Sequence, residues 1–267
     1  MTATLTVEDL SVRRGARQII DALCLQVPSG SVTALVGPNG SGKSTLLKAV
    51  YGYLNSSGRV YLDAEDVTRM SPRLRAQRMA VTAQDVPLDI DLSVAEVVTL
   101  GRTPHLGALK AETHDDREIV WGAMVRVGVD HLADRPWTQL SGGERQSTLL
   151  ARAIAQQGSI LILDEPTNHL DVRHQFELLD IVRDLGVTTV TAMHDLDLAM
   201  QFCDRIAVLN AGAVVAVGPP TEVLVDDIVS AVFNVHVDHV VNPRTGRMQL
   251  LFSRQGNKGK EGTGEER

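Results

Sequence analysis

The stretch Gly37-Pro38-Asn39-Gly40-Ser41-Gly42-Lys43-Ser44-Thr45 constrains this chain most, because it meets every fixed position of the phosphate-binding loop G-x-x-x-x-G-K-[ST]. A β-prone run, Val32 to Val36, precedes it, and a helical pattern with Leu46, Leu47 and Val50 on one face follows. Glycines let such a loop curl until successive N–H groups converge on phosphate oxygens, and the helix N-terminus beneath adds a favourable dipole. Lys43 is then placed to reach the β- and γ-phosphates, and the Ser44 hydroxyl to ligate Mg²⁺. The loop points to nucleotide binding and is silent on what the nucleotide energy does.

A second feature fits the first. Ile160-Leu161-Ile162-Leu163-Asp164-Glu165 reads as a buried strand ending abruptly in two carboxylates. Open α/β sheets bind ligands at the carboxyl ends of their strands, which is where Asp164 falls. Asp164 is expected to hold Mg²⁺ through water, and Glu165 to polarise an attacking water. Strand and helix patterns alternate along the chain, favouring an α/β fold. Strands are also expected at Arg59–Leu62, Met79–Thr82, Thr188–Ala192 and Ile206–Leu209. From about residue 85 to 157 helix starts replace them: Ser93 with Glu96 and Thr113 with Asp116 fit capping boxes, and Ser71-Pro72 is a helix start further upstream. This stretch reads as a helical subdomain inserted into the core.

Composition narrows the function. The net charge of −7 argues against a broad nucleic-acid-binding surface. The opening residues read as a strand and not as a secretory signal, and no run approaches the roughly 18 apolar residues of a membrane span. A soluble protein is expected, with any membrane role carried by partners. Cys24 and Cys203 both stand in apolar surroundings and are expected as buried, reduced thiols. The segment 254–267 is rich in Gly, Lys and Glu and is expected to be a disordered tail.

Leu140-Ser141-Gly142-Gly143-Glu144-Arg145-Gln146 lies about twenty residues before the acidic strand and also satisfies a simple capping box. Here the chain resembles the ATP-binding-cassette family, whose signature is Leu-Ser-Gly-Gly. The resemblance implies a P-loop NTPase core with a mixed sheet and the inserted helical subdomain, over residues 1–235, followed by an extension over 236–267. It implies that Ser141, Gly142 and Gly143 face ATP held by a second copy of the chain. Gln84 matches the family's glutamine that senses Mg²⁺ or the attacking water. Asp171, in Asn168-His169-Leu170-Asp171, matches the loop at the dimer contact, and His194 the histidine that contacts the γ-phosphate.

One position departs from the family pattern. Arg14, in Val12-Arg13-Arg14-Gly15, stands where an aromatic residue usually stacks on adenine. A guanidinium can also lie over an aromatic ring, so ATP is preferred with GTP left open. The resemblance implies hydrolysis of ATP with Mg²⁺, in a dimer held to two membrane permease subunits at the cytoplasmic face, with a substrate-binding protein as an indirect partner and no nucleic acid. Gly101-Arg102-Thr103-Pro104-His105 resembles a stretch of the importer branch for iron–siderophore, haem and cobalamin. Iron(III)-siderophore uptake is the first expectation, with haem and cobalamin behind it. An exporter or a non-transport member of the family stays open.

Overall fold

The computed structural model describes residues 2–82, 91–106 and 112–254. Strands β1 (Leu5–Arg14) and β2 (Arg17–Val27) pair antiparallel. Strand β3 (Val32–Val36), buried along its whole length, runs into the phosphate loop and α1 (Lys43–Val50). Strands β4 (Ser57–Leu62) and β5 (Glu65–Asp66) complete a first sheet of order β2-β1-β4-β5. Helix α2 (Pro72–Arg78) starts on a Ser71 cap with proline at its first turn, and β6 (Met79–Thr82) follows directly.

Among the described residues, three α-helices lie between β6 and the next strand, α3 (Val94–Thr99), α4 (His114–Val127) and α5 (Gly142–Ala155). Each opens with a reciprocal capping box, Ser93–Glu96, Thr113–Asp116 and Ser141–Glu144, so two N-terminal donors of each helix are satisfied locally. The chain then alternates: β7 (Ile160–Asp164), α6 (Val172–Asp184), β8 (Thr188–Ala192), α7 (Leu196–Phe202), β9 (Arg205–Asn210) and β10 (Ala213–Gly218). The second sheet has the order β10-β9-β3-β8-β7-β6 and is parallel except for the β10–β9 edge. Its central strands β3, β8 and β7 are buried along their whole length, as enclosure between two layers demands. Leu35, Ile160, Ile162 and Val190 face α1 and the first sheet. Ala34, Val36, Leu161 and Leu163 face the layer containing α5, α6 and α7.

After α8 (Pro220–Val223) and α9 (Asp226–Phe233), strands β11 (Val235–Val241) and β12 (Met248–Arg254) form a hairpin. It is tied to α7 by the Leu250 N–H, which donates to Asp197 Oδ1 at 2.8 Å. Arg254, expected in the tail, closes β12 instead, and residues 255–267 lie outside the described residues. Cys203 is buried as expected, and burial pushes its thiol up to about 12. Cys24 is not buried. Its neighbours Leu23 and Leu25 point into the core, so strand alternation turns Cys24 outward, where its thiol lies beside Asp9.

A buried polar strut ties α4 to the end of α5. Arg102 Nε donates to Asp116 Oδ1 at 2.9 Å, with side-chain exposures of only 7% and 9%. Arg102 Nη1 donates to Ala155 O at 2.8 Å and to Gln157 Oε1 at 3.0 Å, beyond the end of α5. Nearby, His105 Nε2 donates to Gln156 O at 2.8 Å, and Gln156 Nε2 donates to Met79 O in β6 at 2.8 Å. The Gly101–His105 segment thus fixes α4, α5 and β6 against one another.

Candidate functional site

The phosphate loop leaves β3 and enters α1 through Gly40 and Gly42, at φ 79° and 106°, a left-handed backbone that favours glycine. Lys43 is buried, and its Nζ donates to the carbonyls of Gly37 at 2.7 Å and Pro38 at 3.3 Å. Burial lowers the pKa of its ammonium, while the charges of Glu165 and Asp164 hold it up. The Ser41 hydroxyl is buried in the loop without a hydrogen-bond partner. A buried orphan beside a tethered ammonium fits a loop built around an anion.

Ser44 Oγ donates to Asp164 Oδ1 at 2.9 Å, although 120 residues separate them. Two hard oxygen donors in contact fit Mg²⁺, which takes a few protein oxygens and completes its shell with water and phosphate. Glu165 follows at the strand end with φ 54°, a strained backbone for a non-glycine residue that costs of order 1–3 kcal/mol. Its carboxylate is held from two sides. Glu165 Oε1 lies 2.5 Å from His194 Nε2, and Asn168 Nδ2 donates to Oε2. Asn39, Gly40, Gly42, Lys43, Ser44, Thr45, Glu165 and His194 line one cleft of about 150 Å³. Cation, carboxylate and imidazole therefore converge where the loop amides point.

The other expected residues fall elsewhere. Ser141, Gly142 and Gly143 sit at the N-terminus of α5 and do not line this cleft. Ser141 Oγ accepts the Glu144 N–H at 3.3 Å, and Glu144 Oε2 accepts the Ser141 N–H at 2.7 Å. Asp171 caps α6 and lies outside the cleft as well, accepting the His174 N–H at 2.9 Å. Arg14 ends β1 opposite Arg17, exposed, and is not among the cleft residues. Gln84 lies outside the described residues. The chain thus carries a phosphate-loop half and, apart from it, a glycine-rich helix start. Sequence reasoning did not find Asn168 as the second hold on Glu165; the signal was a polar side chain three residues on, inside a tight turn.

The ABC transporter family model matches residues 20–168. A cobalamin import ATP-binding protein of Halobacterium salinarum is 41% identical over 92% of this chain, which spans 63% of that relative's length. An iron(3+)-hydroxamate import ATP-binding protein of Bacillus subtilis is 36% identical over 93% of this chain and 94% of its own. A hemin import ATP-binding protein of Pseudomonas fluorescens is 41% identical over 92% and 99%. Among solved structures, an inward-facing metal-chelate type ABC transporter superposes with a TM-score of 0.83 at 25% identity, covering 95% of this chain and 99% of that one.

Proposed function

The chain belongs to the ABC transporter family, and on that premise we propose that it is the ATP-hydrolysing subunit of an importer for iron(III)-siderophore complexes. The observation that carries the ATPase reading is the Glu165–His194 contact at the mouth of the phosphate loop, beside the Ser44–Asp164 pair. Phosphoryl transfer asks a protein mainly for positioning and charge neutralisation. Lys43 and the loop N–H groups that follow Pro38 hold the triphosphate. Ser44 and Asp164 would hold Mg²⁺, which would supply positive charge to the triphosphate, and Gln84 is proposed to sense the ion or the attacking water. Glu165 accepts hydrogen bonds and has none to give, so it orients water for attack on the γ-phosphorus. His194 braces that carboxylate and faces the same γ-phosphate.

The separation of the signature from the cleft supports a head-to-tail dimer. In it Ser141, Gly142 and Gly143 of each copy close on the ATP of the other, and Asp171 lies at the contact. Hydrolysis removes the γ-phosphate that both halves grip, and the dimer opens; the differential contact supplies the switch. Residues 1–235 form the nucleotide-binding domain in this reading, and 236–267 an extension.

A groove of about 480 Å³ on the helical layer, lined by Leu92, Ala95, Leu100, Val120, Trp121 and Met124, is the seat for a permease segment. Trp121 is 52% exposed there, an unusual position for a large apolar ring. No helix among the described residues is long and apolar enough to cross a membrane, so this reading assigns the span to two permease subunits. The subunit then works at the cytoplasmic face, with a substrate-binding protein feeding the permease.

The hydroxamate relative and the metal-chelate structure support iron(III)-siderophore as cargo, with haem and cobalamin as the alternatives that the other relatives support. Two measurements test the reading. Glu165→Gln should keep ATP binding and lose about 10²–10⁴-fold in turnover; near-normal turnover removes Glu165 from the mechanism. Co-purification from the native membrane should recover permease subunits and a siderophore-binding protein, and a haem- or cobalamin-binding protein in its place would reassign the cargo.

A further inference from the structure

The glycine-rich start of α5 has a neighbour that the mechanism above does not use. Asp171 Oδ2 lies 2.8 Å from His174 Nδ1, while its Oδ1 accepts the His174 N–H. A carboxylate can only accept, so the ring carries a proton on Nδ1 and gives it to Asp171. Those two bonds, the backbone one first, hold the Asp171 carboxyl below its usual range. The rest of the ring lies against the signature: a methyl group on Gly143 would stand 3.3 Å from His174 Cδ2 and 3.5 Å from Nε2. Nε2 makes no hydrogen bond among the described residues. The pair is also open to water, with side-chain exposures of 47% for His174 and 67% for Asp171. An exposed ion pair adds little stability, so stability does not account for a braced imidazole here.

We propose that His174 is a phosphate-contacting residue of the signature half-site, donating from Nε2 to the γ-phosphate of ATP held by the second copy. The proposal rests on the ATP-sandwich reading above. With Nδ1–H committed to Asp171, a neutral ring turns a lone pair on Nε2 toward the phosphate. Donation from Nε2 therefore requires the doubly protonated ring. The surrounding charges are otherwise occupied. Glu144 on α5 accepts from Ser141 and lies 3.3 Å from Arg135, and Arg145 donates to Thr138 O. On α6, Arg173 is paired with Glu177 at 2.7 Å. In the preceding loop His169 is exposed, and its carbonyl is what approaches Gly142. Asp171 is the anion in contact with the ring.

The test compares the Glu165→Gln chain with the Glu165→Gln/His174→Gln chain by sedimentation equilibrium in saturating Mg-ATP, from about pH 6 to about pH 8, the range of imidazole. A hydrogen bond to a charged group contributes enough that the double variant should dimerise at least about tenfold more weakly at the acid end. The parent's dimer should weaken as pH rises, and the double variant should lose that part of the slope. Slope common to both chains arises outside His174, so only the difference counts. Equal ATP binding by the two monomers shows that both are folded. Equal dimerisation constants and slopes would overturn the role of His174 while leaving the sandwich intact. A Glu165→Gln chain that never dimerises would bring down the sandwich, and this inference with it.

Discussion

Arg102→Met probes the strut that ties α4 to the end of α5. Methionine fills the volume of the arginine stem but removes every donor. Asp116 then loses its bond at 2.9 Å, and Ala155 O and Gln157 Oε1 lose theirs at 2.8 and 3.0 Å. Breaking a buried pair by removing one partner costs about 3–5 kcal/mol, because the other charge is left uncompensated. Asp116 keeps the Thr113 hydroxyl at 2.7 Å and the Thr113 N–H at 3.1 Å, so the lower end of that range applies. For a chain of this size about 3 kcal/mol lowers the thermal midpoint by ~6–12 °C. Circular dichroism melts at neutral pH measure it. Arg102→Met/Asp116→Leu removes the uncompensated charge and should recover part of the loss, the remainder being the Thr113 capping box and the bonds to Ala155 and Gln157. A single variant within about 0.5 kcal/mol of the parent, or a double variant no better than the single, would refute the argument.

Three further outcomes are expected. The Thr113 hydroxyl, the Thr113 N–H and Arg102 together hold the Asp116 carboxyl at about 2. Its stabilising contribution is complete above the ordinary carboxylate value of about 4 and is lost as pH falls from there toward 2; Asp116→Asn should lose less stability across that window, and parallel curves would contradict this. Lys43→Ala removes the ammonium from the loop and should abolish measurable ATP binding in a calorimetric titration; retained affinity would take Lys43 out of the site. Arg14→Tyr should tighten ATP binding several-fold, as base–aromatic stacking contributes about 1 kcal/mol or more; unchanged or weaker binding would disconnect Arg14 from the base.

What the sequence made legible is local. The phosphate loop, the acids ending β7 and the capping boxes are each encoded within a few consecutive residues, and the structure forms each of them. What it hid depends on partners distant along the chain. Arg102 reads as one charge in a loop until Asp116, Ala155 and Gln157 surround it. Cys24 looked apolar because its neighbours are, and only strand pairing fixes which side it takes. The hairpin of Val235–Val241 with Met248–Arg254 has too weak an alternation to announce itself, and its inner face is set by docking on α7 and α9. His174 needed the fold of α5 against α6 before its ring could be placed beside Gly143.

In the proposed dimer each chain holds half of every ATP pocket. Sedimentation velocity of the Glu165→Gln chain, with and without saturating Mg-ATP, tests it most directly. Monomers are expected without nucleotide and dimers with it, reverting when Mg²⁺ is chelated. A chain that binds Mg-ATP at full occupancy and still sediments as a monomer would contradict it.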